Sequence, residues 1–508
     1  MAKVARSEMS ARTSAPPSIP ARRRFLRLFA RLVRQHEGEL SALAATEIGK
    51  PPFETLTADV LPLLASLDWH RRHLARLIGP RRIGGRAWWQ LGQSHRVVRA
   101  PLGRVAIIAT WNYPLQLLGV QLAQAIAAGN QVCVKPSERC PRTQSLLLDL
   151  AARALAASGF PAETLDVRDA GREEGARLLR DERFDHVIFT GSTSVGRAIA
   201  EITARTLTPT TLELSGHDSA FVLGDADVAL AARTIWNGMT MNAGQTCMAP
   251  RRALVDRSIY CAFLAALAPL AAAGRPLRLV DTAAVARCMA LVEDAAMRGA
   301  RSLAGTIETA DGDMMRPCVM VDCPTDALLV EGDHFGPALA VVPVDGLDEA
   351  LRIHRAVGQC LATSVFTRDV RAVRERAADF GSSLVTINDC LLPTAHPAAA
   401  LSGSGASGWG ASRGVSGLLA LTREICVSTT GRIRLPVGEP DPRVLNWLRR
   451  IVGIPVRAMS GMSGKSLDRG GSTAAKNAIS SNAIARETHS EVSRDARPRR
   501  EPTRGKPT

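Results

Sequence analysis

Apolar residues recur at helical spacing over residues 22–48: Phe25, Leu28, Phe29, Leu32 and Val33, then Leu40, Leu43 and Ile48. This period predicts an amphipathic helix, ended by Gly49 and the Pro51-Pro52 pair. Beyond Arg104 the pattern changes. Short β-branched runs at 105–110 and 131–134 flank an apolar helical stretch at 115–128. Strand-like runs at 165–168 and 186–189 follow, with helical patterns at 142–157 and 172–180. Such alternation predicts a parallel sheet covered by helices. A second α/β series runs from about Ala220 to Asp389. Residues 1–20 are rich in Ser, Pro and Ala, and from Gly438 onward Ser, Arg, Pro, Gly and Ala dominate. Both stretches read as disordered, with only 444–456 patterned for a short apolar element.

Composition narrows the class. The 508 residues are 46% hydrophobic and 22% charged, which fits a globular chain of several domains. The most apolar run, 262–273, is too short to span a bilayer and contains Pro269. The N-terminus lacks an apolar signal core, so a cytoplasmic location is expected. Ten cysteines without paired spacing favour free thiols over a disulfide framework or zinc site. The histidines do not cluster with acids or cysteines, and no metal is expected.

The net charge of +16 invites a nucleic-acid reading, but residues 1–36 carry +8 and 437–508 carry +7, leaving +1 for the body. Neither end shows an aromatic-interleaved or zinc-finger pattern, so no nucleic-acid partner is expected. The basic termini are expected to contact at most an anionic membrane surface, through the arginine-flanked apolar residues of 22–34 and 444–456.

Five segments carry candidate chemistry. Asn242-Ala-Gly-Gln-Thr-Cys247 sets a cysteine in a turn of small residues, where a thiolate is a good nucleophile and a backbone N–H can meet an oxyanion. Thr211-Leu-Glu213 places a carboxylate at an apolar strand end; burial there suits it to general-base work. Thr110-Trp-Asn112-Tyr-Pro114 ends the first strand and offers an amide donor at the carboxyl end of the sheet. Val134-Lys135-Pro-Ser-Glu138 ends the next, and Lys135 is the only lysine between Lys50 and Lys465 although 58 of 64 basic residues are arginine. A chance cation there would be arginine, so a need for an ammonium group is indicated. Phe189-Thr-Gly191-Ser192 passes from strand to helix, a place for a diphosphate. By contrast, Gly403-Ser-Gly405-Ala-Ser-Gly408 fits a dinucleotide fingerprint but follows no sheet strand and reads as a flexible loop.

In this order and spacing the five segments strongly resemble the aldehyde dehydrogenase superfamily over about residues 22–430, most densely over 101–250. Thr-Trp-Asn-Tyr-Pro is most similar to the class 3 and fatty-aldehyde branch. The resemblance implies an α/β fold, aldehyde dehydrogenase-like, with a Rossmann-like cofactor domain, an α/β catalytic domain and a small β oligomerisation element. The implied boundaries are a disordered N-terminus at 1–21, a NAD-binding domain at 22–83 and 101–212, and a catalytic domain at 213–390. The oligomerisation element and active-site loop fall at 84–100 and 391–430, and a disordered basic tail at 437–508.

It further implies that Cys247 is the nucleophile, that Asn112 and the Cys247 backbone N–H form the oxyanion hole, and that Glu213 activates the deacylating water. Lys135 and Glu138 would contact the adenine ribose and Ser192 the diphosphate. Thr110, Trp111, Ser137, Gly191, Gly196, Leu214, Asp333 and Phe335 would complete the cofactor site. The expected cofactor is NAD, since Glu138 would repel the 2′-phosphate of NADP, the alternative. A homodimer or homotetramer is implied. Aliphatic residues around 115–118 and 391–401 suggest an apolar aldehyde substrate, aliphatic or aromatic.

The chain departs from the family pattern in several places. Asp333 replaces a glutamate and His217 a lysine, Ser215 replaces a glycine, and Leu401-Ser-Gly-Ser stands where Pro-Phe-Gly-Gly is usual. These departures keep a non-catalytic cofactor-binding relative as the alternative. An acylating, coenzyme A-dependent enzyme is the other, against which Glu213 argues.

Overall fold

The structure is a computed structural model that describes residues 16–85, 90, 92–305, 312–432 and 441–454. The chain divides into two units, 1–434 and 435–508.

In the first unit the predicted N-terminal helix is two helices, α1 (Ile19–Gln35) and α2 (Glu37–Ile48), with His36 between them. α1 enters the stretch expected to be disordered because Ser18 Oγ accepts from the Ala21 N–H and Pro20 suits the first turn. Gly49 ends α2 in the left-handed region at φ +71°. The apolar face of α1 is not free for a membrane. Phe25, Leu26, Phe29 and Val33 are fully buried in the core, and Arg22 is buried as well, donating to the carbonyls of Ala127 and Ala128 at 3.1 Å.

The alternating stretch forms β1 (Arg104–Ile108), α3 (Gln116–Ala128), β2 (Gln131–Lys135), β3 (Leu165–Val167), β4 (His186–Thr190), α4 (Thr193–Ala204) and β5 (Thr210–Glu213). The strands lie side by side in the order β5-β4-β1-β2-β3, all parallel. Strand order therefore reverses between β1 and β4, and ligand crevices in such sheets open at the carboxyl ends flanking that reversal. Every residue of α3 is buried. Leu115 and Leu118 belong to the core cluster, so of the two places open to these aliphatic residues, core or substrate wall, they take the core.

The second sheet holds β6 (Asp218–Val222) and β7 (Pro250–Asp256), with α5 (Val228–Thr240) between them. Its order is Arg301–Ser302, Cys318–Val321, Ala338–Val344, β7, β6, Ala362–Phe366 and Leu384–Ile387, parallel except for the first pair. A third, antiparallel sheet joins Arg81–Arg82, Gln93–Pro101 and Thr422–Thr430.

The glycine-rich segment read as a flexible loop is ordered. Ser404–Gly405 pairs with Gln359–Cys360, and Gly408–Trp409 pairs antiparallel with β5, setting Gly408 opposite Glu213. Only glycine fits there: Gly408 has φ +96° and an added Cβ would lie 2.2 Å from the Leu212 carbonyl oxygen.

In the second unit Pro442–Ile451 is helical, capped by Asp441, whose carboxylate accepts from the Arg443 N–H at 2.8 Å. The helix begins two residues before 444–456, the one short apolar element expected in a stretch otherwise read as disordered. The other parts of that expectation, 437–440 and 455–508, lie outside the described residues, as do 1–15 of the N-terminal one and 86–89 and 91 of the oligomerisation segment. Among the described residues no helix is long and apolar enough to cross a membrane.

Candidate active site

The turn that carries Cys247 follows α5. Asn242, Ala243 and Gly244 are successively left-handed, with φ +54°, +55° and +72°. Gly244 is required, because a Cβ would lie 2.4 Å from the Gly336 carbonyl carbon. The fully buried Arg251 clamps the turn, donating to the carbonyls of Gly244 at 2.8 Å, Thr246 at 2.8 Å and Gly336 at 3.1 Å. The Tyr113 hydroxyl and Thr246 Oγ1, 2.6 Å apart, tie it to the first sheet. Cys247 is thereby held partly exposed at the cleft.

Asn112 is buried beside it. Its Nδ2 donates to the Gln245 carbonyl at 3.1 Å and its Oδ1 accepts from Thr110 Oγ1 at 3.1 Å. An amide nitrogen carries two hydrogens, so this bond does not exhaust Asn112 as a donor. The backbone of Asn112 is fixed from below: its carbonyl accepts from Lys50 Nζ at 3.1 Å and from Asn242 Nδ2 at 3.0 Å. Lys50 is fully enclosed, ion-paired with Asp59, and lies 3.7 Å from the Tyr113 ring centroid. Asp59 in turn accepts from the Leu115 and Gln116 N–H groups at 3.0 and 2.9 Å, where α3 begins.

Glu213, at the end of β5, is 3% exposed. Its carboxylate accepts from Ser412 Oγ, from Thr190 Oγ1 at 3.2 Å and from Gln121 Nε2 at 3.4 Å. Burial pushes its pKa up, while Ser412, Arg413, Thr190 and Gln121 pull the other way. Burial likewise pushes the Cys247 thiol up to about 12, and the Glu213 carboxylate adds to it; Arg413 and Arg251 oppose the rise. Burial and the Glu213 charge thus both favour the neutral thiol, and burial favours the neutral carboxyl.

The cleft reaching these groups has a volume of about 690 Å³, within the range of a cofactor site. Thr110, Trp111, Lys135, Ser137, Glu138, Gly191, Ser192, Leu214, Asp333 and Phe335 all line it, as do Cys247, Glu213 and Asn112. Lys135 Nζ and Glu138 Oε2 pair at 3.0 Å, Ser192 caps the start of α4, and Trp111 meets Phe335 edge to face at 5.9 Å. Gly196 is not on the wall. It lets α4 approach Leu214, whose Cδ2 would lie 2.4 Å from an added Cβ. Of the two acids near the departure from the family pattern, Asp333 and not Glu331 lines the cleft. Burial pushes the Asp333 carboxyl up. His217 sits in the core, with Nε2 2.7 Å from the Val330 carbonyl.

Fold and site together define an α/β protein with a thiol, a carboxylate and an amide donor converging on a cofactor-sized cleft. The family model described as "Aldehyde dehydrogenase family" matches residues 2–426, and the chain belongs to that family. The 4,4'-diapolycopene-4,4'-dial dehydrogenase of Cytobacillus firmus is 30% identical over 416 residues, covering 80% of this chain and 89% of the relative. Aldehyde dehydrogenase family 3 member A2 of Mus musculus is 29% identical, covering 76% and 79%, which agrees with the class 3 resemblance. Among solved structures, the NAD+ complex of an aldehyde dehydrogenase from Bacillus cereus superposes with a TM-score of 0.75 at 27% identity, covering 82% of this chain and 86% of that one.

Sequence reasoning missed Ser412, Arg413, Gln121, Arg251 and Lys50. Only Lys50 had a signal: the rarity of lysine that singled out Lys135 applies to it equally.

Proposed function

We propose that this protein oxidises an aldehyde to a carboxylic acid through a thiohemiacetal and a thioester on Cys247. The convergence of Cys247, Glu213 and Asn112 on one cleft carries this reading. Cys247 Sγ adds to the aldehyde carbon, and the oxyanion faces Asn112 Nδ2 and the Cys247 N–H, each donor worth about 10²–10³ in rate. Lys135 and Glu138 would hold the adenine ribose of NAD and Ser192 the diphosphate; when bound, the cofactor supplies the hydride acceptor. Glu213 then takes a proton from water, which releases the acid from sulfur.

Glu138 favours NAD by repelling a 2′-phosphate. NADP is the second reading, favoured by Arg172, whose Nε lies 3.7 Å from Glu138 on the cleft wall. A relative described as "Aldehyde dehydrogenase, dimeric NADP-preferring", from Canis lupus familiaris, is 30% identical. Relatives named for 4,4'-diapolycopene aldehydes, 30% and 31% identical, support an apolar aldehyde. A homo-oligomer is supported by the exposed Ile425 and Val427 on the strand Thr422–Thr430.

The test is the absorbance of reduced nicotinamide with NAD or NADP and a panel of aliphatic, polyene and aromatic aldehydes. Turnover is expected with at least one aldehyde and none in Cys247→Ala. Folded protein that binds cofactor but turns over no aldehyde would identify a non-catalytic relative.

The helix Pro442–Ile451 supports a membrane-surface contact. Val444, Trp447 and Ile451 are exposed on one side, with Arg443 and Arg450 beside them and Arg449 opposite. Truncation after residue 436 is expected to lower co-sedimentation with anionic vesicles in low salt; equal sedimentation would remove the idea.

A further inference from the structure

The two oxygens of the Glu213 carboxylate are held by different parts of the fold. Oε2 accepts from Thr190 Oγ1, at the end of β4, and from Gln121 Nε2, on α3, at 3.2 and 3.4 Å. Those donors also meet each other, with Gln121 Nε2 donating to Thr190 Oγ1 at 3.0 Å. Oε1 accepts from Ser412 Oγ, and among the described residues no other donor reaches it. Ser412 therefore decides whether Oε1 has a partner at all.

The fold sets this serine in place with some care for its backbone. Ser412 is 4% exposed, and it exchanges both main-chain hydrogen bonds with Leu401, each at 2.9 Å. Leu401 and Ser412 thus close the base of a loop whose inner residues pair with Gln359–Cys360 and with β5. Positive φ recurs on both sides of Ser412, at Gly410 (+82°), Arg413 (+59°) and Gly414 (+56°). At Arg413 that backbone is strained, and such strain persists only where the surroundings over-determine it. It turns the chain away directly after the Ser412 hydroxyl has met Glu213. A buried serine can satisfy its hydroxyl on a nearby backbone carbonyl; this one donates to the carboxylate, and a hydrogen bond to a carboxylate favours the charged form. The other titratable and charged groups about Glu213 are Cys247 and Arg413, and among the described residues neither forms a hydrogen bond or ion pair with it.

We propose that Ser412 is the positioning residue of the deacylation step, holding Glu213 charged and in one orientation through its bond to Oε1. When Glu213 takes a proton from water, the remaining hydroxide adds to the thioester carbon and the carbon–sulfur bond breaks, leaving the acid and the Cys247 thiolate. Ser412 keeps its own proton throughout and touches neither substrate nor cofactor. The inference rests on the role proposed above for Glu213.

The test compares Ser412→Ala with Ser412→Thr, which keeps the hydroxyl. Alanine removes one atom and leaves the backbone pair with Leu401, so the variant is expected to fold, as thermal unfolding will show. Infrared difference spectra across pH report the carboxyl directly, and the band missing from Glu213→Gln is that of Glu213. In the alanine variant this band is expected to titrate about one pH unit higher, and in the threonine variant close to wild type. In stopped flow the first equivalent of reduced nicotinamide should appear at the wild-type rate in Ser412→Ala, while steady turnover near neutral pH falls about tenfold. A folded alanine variant with the wild-type titration would overturn the positioning role, and so would a first equivalent slowed as much as the steady rate. The titration needs no aldehyde, so the two readings separate: a shifted band in a protein that oxidises no aldehyde would uphold the hold of Ser412 on Glu213 and sink the proposed reaction.

Discussion

Glu213→Gln is expected to release one equivalent of reduced nicotinamide per site and then nearly stop. The amide is isosteric and can still accept from Ser412, so the site keeps its shape, but it cannot take a proton from water. Thiol addition and the first oxidation proceed, and the thioester accumulates on Cys247. Loss of a general base lowers steady-state turnover by about 10²–10⁴-fold. Burial raises the Glu213 pKa in the wild type, so its base form grows in as pH rises, and deacylation should quicken with it. The variant should lack that limb. Stopped-flow absorbance with mass spectrometry of the trapped acyl-enzyme reads both. A variant with undiminished steady turnover would remove Glu213 as the base.

Lys50→Ala is expected to be the most destabilising single substitution at the site. Lys50 and Asp59 are a fully enclosed ion pair, and truncating one partner of such a pair costs about 3–5 kcal/mol because the other charge is left buried. The damage should reach chemistry. Lys50 also bonds the Asn112 carbonyl, and Asp59 anchors the start of α3, so Asn112 loses its support. Urea unfolding should show a lower midpoint, and residual folded enzyme should lose kcat more than cofactor affinity. An unchanged midpoint would show that Lys50 is not structural.

The sequence by itself determined the α/β class, the strands that end near Ile108, Lys135 and Thr190, and the choice of Cys247, Glu213 and Asn112 as candidates, which one cleft brings together. These were legible because they depend on short-range pattern: β-branched runs, glycine turns, and chemistry-bearing residues at fixed offsets from strand ends. What joined them was not local. Ser412 meets Glu213 because Gly408–Trp409 adds an antiparallel edge to β5 across almost two hundred residues of chain, and a serine after a glycine-rich stretch carries no sign of that. Leu115 and Leu118, which in one dimension suit a substrate wall and a core equally, are core in three. The helix α1 read as a surface helix that could touch a membrane, and its apolar face packs inside. In each case an apolar residue announces that it will be buried, and only the packing of distant elements decides against what.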